Sequence, residues 1–313
     1  MTQPSPIPPL RIATRKSQLA LWQAEHVAAL LRRAHAGLEV ELLPLVTQGD
    51  RIQDRSLAAI GGKGLFIREL EIALQEQRAD IAVHSMKDLP GDLPDGLIIA
   101  AVLERADARD ALLTAKATRL ADLPRGARVG TSSLRRQAQL LAARPDLRIE
   151  ALRGNVDTRL RRLDTGEMDA IVLACAGLIR LGLESRITAR LDPKISLPAV
   201  AQGVIGIECR GADARTLRLV SVLNHQVTRI AMDAERAFAR RLGGSCQSPI
   251  AAHAELEGKF LMLDGMVAEP DGSRLLRDTL SGSVDDPAAV GSLLAERILA
   301  AGAGPLLERL RTG

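Results

Sequence analysis

Asp80-Ile81-Ala82-Val83-His84-Ser85-Met86-Lys87-Asp88-Leu89-Pro90 is the stretch on which the reading of the chain turns. Residues 81–83 are a short apolar run and predict a buried strand. The run ends in His84, Ser85, Lys87 and Asp88, and Pro90 stops any helix that would follow. In open α/β sheets ligands sit just beyond the carboxyl ends of strands, where this polar cluster falls. Asp88 beside Lys87 is a carboxylate that stays ionised next to a cation, or that donates a proton if desolvated. A plain solvated turn has the same composition, because perturbed and ordinary charges look alike in sequence.

The same grammar recurs on either side. Residues 10–13 read as a strand, followed by Thr14-Arg15-Lys16-Ser17, with Ser17 the N-cap of a helix over 19–34. A strand at 40–46 leads to a polar, glycine-bounded stretch at 47–62, a candidate lid, and then to a helix at 65–77. Residues 97–103 form a further strand. A second block begins at 128–129, which ends in Gly130-Thr131-Ser132-Ser133 ahead of a helix at 134–143. A strand at 148–152 passes through Arg153-Gly154-Asn155 into a helix at 156–163, and 170–174 is a buried strand. Alternation of strand and helix predicts parallel sheets. Pro198-Ala199-Val200-Ala201-Gln202-Gly203 then leads into an apolar strand at 204–207, read as returning to the first sheet and making that domain discontinuous. Helices at 212–223 and 228–242, a glycine loop with Cys246, strands between 250 and 280 and a terminal helix form an α+β pattern, which predicts a separate domain from about residue 227.

The 313 residues carry a formal net charge of +4, Arg is heavily favoured over Lys, and Trp22, Phe66, Phe238 and Phe260 are the whole aromatic set. Arg suits bidentate grip on carboxylate or phosphate. Binders of single-stranded nucleic acid offer stacking rings, of which this chain has almost none. The Pro-rich start has no basic or apolar signal pattern, and the longest apolar run, 170–179, is short for a membrane span. A cytoplasmic protein is expected. Three widely spaced cysteines argue against a disulfide framework or a cysteine zinc site, and the five histidines show no metal-ligand spacing.

Three junctions share one design. Arg15 precedes Ser17; Arg135 and Arg136 follow Ser133; Arg153 precedes Asn155, with Arg159 a turn later. Each places guanidinium groups near a helix N-terminus, whose free N–H groups favour anions. Three such junctions at strand ends point to a cleft for a polyanionic ligand, since charge-assisted contacts contribute about 1.5–3 kcal/mol each. Pairing with nearby acids is the plain alternative. Gly61-Gly62-Lys63-Gly64 fails as a phosphate loop because Leu57 and Gly64 stand where glycine and Ser or Thr are needed. Gly243-Gly244-Ser245-Cys246-Gln247 fails as a serine nucleophile elbow. Cys246 sits in a glycine–serine loop closed by Pro249 and reads as an accessible thiol, a nucleophile or covalent anchor. Cys175 and Cys209 read as small core residues.

Taken together these segments resemble the porphobilinogen deaminase (hydroxymethylbilane synthase) family. The matching motifs are Arg11-Ile12-Ala13-Thr14-Arg15, Gly61-Gly62-Lys63-Gly64-Leu65-Phe66, His84-Ser85-Met86-Lys87-Asp88, Gly130-Thr131-Ser132-Ser133-Leu134-Arg135-Arg136, Leu152-Arg153-Gly154-Asn155, Leu197-Pro198-Ala199-Val200 and Cys246-Gln247, in order. The resemblance implies an α/β fold of three domains: two doubly wound domains like periplasmic binding proteins, at 1–103 plus 204–221 and at 109–197, and a small α+β domain at 227–313. It implies a transferase that joins four porphobilinogen molecules head to tail, releasing ammonia, to give hydroxymethylbilane. The primer is a dipyrromethane cofactor held through a thioether on Cys246. Asp88 takes the catalytic role, assisting departure of the amine, steadying the azafulvene cation and aiding deprotonation. Lys87, Asp88, Ser133, Arg135 and Arg136 match cofactor-binding positions. Arg15, Ser17, Phe66, Arg153, Arg159, Arg180 and Gln202 match substrate-binding ones, and no metal is implied.

The chain departs from the family pattern at Ala59 and Gln48, where some relatives have lysine and arginine in the lid. Ala201 replaces a glycine common before Gln202-Gly203, which predicts a stiffer hinge. A non-catalytic anion receptor is a competing reading, but it leaves Asp88 and Cys246 without tasks. A nucleic-acid binder using 135–162 is a third, and it predicts steeply salt-dependent binding. Porphobilinogen is the expected partner, with no nucleic acid or membrane, and the chain is expected to be a monomer.

Overall fold

The computed structural model describes residues 8–51, 67–244 and 248–312. These fall into two compact units, Met1–Glu104 with Ile205–Gln226, and Arg105–Val204 with Val227–Gly313.

The first unit is built on strands β1 (Leu10–Arg15), β2 (Val40–Leu45), β3 (Ile81–Ser85), β4 (Leu97–Val102) and β10 (Ile205–Arg210). Their order is β2-β1-β3-β10-β4. β1 pairs in parallel with β2 and β3, whereas β10 runs antiparallel to both β3 and β4. β3 is apolar on both faces because the sheet is covered on both sides. One side packs Ala24, Val27 and Leu31 of the helix Gln18–Ala34 against Ile12 and Ile81. The other packs Leu70 and Leu74 of the helix Arg68–Gln75 against Ala13 and Ala82.

The second unit repeats that order with β5 (Asp110–Leu113), β6 (Arg128–Gly130), β7 (Arg148–Glu150), β8 (Ala170–Ala174) and β9 (Ala189–Arg190), arranged β7-β6-β8-β5-β9. β6 is parallel to β7 and β8, while β5 is antiparallel to β8 and β9. Both sheets are therefore mixed, not purely parallel as strand–helix alternation predicts. In each, the strand next to the chain's passage between units inserts beside the third parallel strand and runs against it. The return of residues 204–207 to the first sheet is observed as β10. Cys209 lies inside this strand, and Cys175 opens the helix Cys175–Arg180 instead of lying in β8.

The second unit also contains an antiparallel meander, β11 (Ile250–Glu257), β12 (Phe260–Ala268) and β13 (Leu275–Ser283). Phe238 of the helix Gln226–Arg241 and Leu294 of the helix Pro287–Ile298 fill its core with Leu261, Leu263 and Val267. Pro287–Leu310 is long and apolar enough to cross a membrane by composition, although the longest uninterrupted apolar run lies elsewhere, at 170–179. Its Val290, Leu294, Ile298, Leu306 and Leu307 belong to this core. A smaller cluster of Ala138, Leu197, Ala251, Met266 and Ala268 joins the helix Leu134–Ala143 to the meander.

A buried carboxylate fixes the same junction. Glu235, fully buried, accepts from Arg105 Nη1 and Nη2 at 2.6 and 3.0 Å, from Ala201 N at 2.6 Å and from Ala254 N at 2.8 Å. Ala201 is held at φ 55°, in the left-handed region. Such a backbone costs alanine about 1–2 kcal/mol, while glycine's extra freedom in the unfolded chain costs about 0.4–1 kcal/mol. Relief of strain outweighs entropy, so Ala201→Gly is expected to raise the thermal midpoint by about 1–4 °C. A lowered midpoint in a thermal scan would show that the site is unstrained.

Candidate functional site

In the first unit, the carboxyl ends of β1 and β3 lie side by side. Their register, Ile12 with Ile81 and Ala13 with Ala82, brings Arg15 level with His84. After β1 the chain turns into its first helix at Ser17, whose Oγ accepts from Ala20 N at 3.4 Å. After β3 it enters a single 3-10 turn, Met86–Asp88, that buries Met86 and leaves Lys87 half-buried and Asp88 exposed. Gln23, 2% exposed, ties the two ends together. Its Nε2 donates to Ser85 Oγ at 2.8 Å, and Ser85 Oγ donates back to Gln23 Oε1 at 3.2 Å. A small hollow results, with Arg15, Ser17, Gln23, His84, Ser85 and Asp88 as polar lining and Leu19, Ala20, Ile67 and Val83 as apolar walls. Apart from Asp88 and His84, the polar lining consists of donors suited to a carboxylate. Gln23 is missed by sequence reading because it is one polar residue inside a helix.

In the second unit, two of the predicted anion-binding helix starts are capped internally. Ser133 Oγ accepts from Arg136 N at 3.4 Å, and Asn155 Oδ1 from Thr158 N at 2.9 Å. Each cap answers one of the four first-turn donors. Gly154 makes the second junction possible: it sits at φ 97°, and a Cβ there would lie 2.8 Å from Thr158 Cβ. Arg153 and Arg159 are half-buried beside it, and Arg159 Nε donates to Gly154 O at 2.9 Å. Arg180 Nη2 donates to Gly203 O at 2.7 Å, and burial pushes its guanidinium down to about 10.

Arg135 and Arg136 have a different setting from the one the sequence predicts. They are 3% and 6% exposed, and their anion is internal: Asp110, at the start of β5. Arg135 donates to it through Nη1 and Nη2 at 2.8 and 3.2 Å, and Arg136 through Nε and Nη2 at 3.0 and 2.8 Å. Ser196 Oγ adds a bond at 2.7 Å and Gln202 Nε2 one at 2.9 Å. Burial alone would raise the Asp110 carboxyl, but the two guanidinium groups overcome it and hold it well below the usual carboxylate range. Burial lowers Arg135 in turn, but arginine keeps its proton in any folded protein. Arg135 Nε is a buried nitrogen with no partner among the described residues.

Phe66, Cys246, Ala59, Lys63 and most of the lid stretch lie outside the described residues. Gln48 opens a short helical turn, and its N–H donates to Glu69 Oε1 at 2.9 Å. Cys175 and Cys209 are buried, and burial pushes their thiols up to about 12 and about 11.

Residues 10–218 match a family model described as "Porphobilinogen deaminase, dipyromethane cofactor binding domain", and residues 230–300 match "Porphobilinogen deaminase, C-terminal domain". Two curated relatives named porphobilinogen deaminase come from Xanthomonas axonopodis pv. citri and Xanthomonas euvesicatoria pv. vesicatoria. Each is 57% identical over 301 residues, spanning 96% of this chain and 99% of the relative. Among solved structures, a periplasmic substrate-binding protein of an ABC transporter from Coxiella burnetii is 18% identical, with TM-score 0.44, over 68% of this chain and 91% of its own. With two family models covering both mixed sheets and the meander, and relatives matched almost end to end, the chain belongs to the porphobilinogen deaminase family.

Proposed function

We propose that Asp88 performs the proton chemistry of porphobilinogen polymerisation, with the anion-binding strand ends holding the acetate and propionate groups of the substrate. The enzyme is a transferase of tetrapyrrole biosynthesis that joins porphobilinogen units with loss of ammonia. One observation carries this assignment. Asp88 is an exposed carboxylate on a braced turn, in a hollow it shares with Arg15 and Ser17. Every ring to be joined is an anion, so the hollow pairs one proton-transferring group with donors that hold the ring in place. Arg153, Arg159 and Arg180 supply further guanidinium groups for the lengthening chain, Phe66 covers the reacting rings, and Gln202 braces the crossing segment through Asp110.

The donor chemistry of the described residues fits a dipyrromethane group, whose side chains are carboxylates. Lys87 in the first unit and Ser133 in the second are each suited to bind such a carboxylate, and Arg136, paired with Asp110, donates its N–H to Ser133. When bound, the group supplies the pyrrole carbon on which the chain starts. Cys246 is its attachment point on this reading. The buried, raised thiols of Cys175 and Cys209 count against the alternatives. Three domains, at 1–103 plus 204–221, 109–197 and 227–313, remain our reading, supported by a separate sheet in each, with the last two grouped in one compact unit. The enzyme acts as a cytoplasmic monomer without nucleic acid or membrane.

Incubation with porphobilinogen should release ammonia. Binding without release would favour an anion receptor. Arg153→Ala is expected to weaken loading or elongation about tenfold, the lower end of what one charge-assisted carboxylate contact contributes. Native gels resolving enzyme–substrate intermediates measure this, and an unchanged ladder removes Arg153 from the substrate path.

A further inference from the structure

The strand that presents Asp88 also carries a buried group that this chemistry leaves unused. His84 is 5% exposed, directly precedes Ser85 and forms part of the same hollow. Its Nε2 lies 2.8 Å from Oε2 of Glu208, which is fully buried. The pairing of β3 with β10 explains the encounter. His84 stands opposite Gly206 and Ala82 opposite Glu208, so imidazole and carboxylate meet diagonally on one face of the sheet. Glycine at 206 leaves room for the Met86 side chain, whose Sδ would lie 2.0 Å from a Cβ built there. The first residue of the Asp88 turn thus packs against Gly206, the residue that pairs with His84.

Glu71, from the helix Arg68–Gln75, completes the cluster. Burial first, then repulsion from Glu208, raises its carboxyl above the usual range, while His84 pulls it down. Glu71 Oε1 and Glu208 Oε1 are buried without a hydrogen-bond partner among the described residues. Folding does not demand such a group, since a buried pair can often be replaced by apolar residues at no loss of stability. Its position is the informative part. It underlies the strand end and turn that carry the acting carboxylate.

We propose that His84 is a positioning residue for Asp88, with Glu208 accepting the Nε2–H proton and fixing the imidazole as a wall of the hollow. With Met86 seated against Gly206, this bond sets where the Lys87–Asp88 turn stands. The inference rests on the assignment of Asp88, and three variants of the cofactor-loaded enzyme separate the two. Misplacing a reacting group by about 1 Å costs on the order of 10²-fold in rate. Glu208→Ala is therefore expected to lower kcat about 10²-fold, with KM within about twofold and the cofactor adduct intact by mass. Glu208→Gln, whose amide oxygen can accept the same proton, is expected to recover kcat to within about threefold of the parent. An unchanged kcat in Glu208→Ala, equal losses in both variants, or a rise in KM in place of the fall in kcat overturns the proposal.

Asp88→Ala run alongside isolates the underlying assignment. If it turns over normally, that assignment fails whatever Glu208 does. If it is inactive and Glu208→Ala is not impaired, only the positioning role fails. A readout on the unsubstituted holoenzyme stands even where a variant does not fold. Histidine side-chain ¹⁵N–¹H spectra should show a slowly exchanging, low-field proton on His84 Nε2, and a ring protonated at Nδ1 alone overturns the proposal.

Discussion

Asp88→Ala is expected to yield a folded, cofactor-bearing enzyme whose ammonia release falls by about 10²–10⁴-fold, the range a positioned acid–base group contributes. The fold should tolerate the change. Asp88 is exposed at the end of a 3-10 turn whose anchoring side chain, Met86, is 1% exposed and untouched by the substitution. Surface substitutions away from packed features usually shift stability by less than about 0.5 kcal/mol. The loss should appear in kcat, because the donors proposed to hold the ring, Arg15 and Ser17, remain in the hollow beside Ser85. Asp88→Asn sharpens the test, since an amide keeps the shape and one acceptor oxygen but cannot take up and return a proton. Ammonia release, paired with intact mass to confirm cofactor loading, reads both variants. Parental rates in either one would sink the assignment.

The contrast between Asp88 and Asp110 shows what this sequence reveals and what it hides. Asp88 is legible as a candidate because a strand ends in a burst of polar residues, and a ligand-binding edge is where such bursts occur. Arg15, Ser17, Ser133 and Arg153 are legible for the same reason, at strand-to-helix junctions. Asp110 follows Arg109 in a charged run and reads as one more surface acid, yet it opens a four-residue strand and is fully buried. Nothing in periodicity distinguishes a solvated aspartate from one enclosed by two arginines that arrive from a helix 25 residues downstream. Glu208 is hidden for a related reason. The apolar run at 204–207 stops one residue short of it, although β10 continues to Arg210. Strand direction is equally silent in sequence, so the antiparallel courses of β5 and β10 emerge only from pairing. Local pattern reports which face of an element is apolar. It does not report which charges meet once the elements pack.

That limit is why the largest expected stability effect belongs to a residue without chemistry of its own. Asp110→Asn preserves shape and removes the charge that two buried guanidinium groups share. An uncompensated buried charge costs about 3–5 kcal/mol, a substantial part of the roughly 5–15 kcal/mol that stabilises a folded domain. Thermal unfolding of the second unit should therefore shift down by about 6–20 °C. Burial disfavours the carboxylate and the arginines favour it, with the folded-state value ending below the unfolded one. A group depressed in this way contributes fully above the unfolded aspartate value of about 3.9 and loses its contribution only as pH falls below it. The gap between parent and variant should accordingly stay flat from about pH 5 to 8 and narrow below about pH 4. Cofactor loading should fall with stability, because Asp110 anchors Arg136, whose N–H donates to the Ser133 cap, and Gln202 on the crossing segment. A midpoint within about 2 °C of the parent at neutral pH would mean that the two arginines find other anions, and that Asp110 is not what holds this edge of the second unit together.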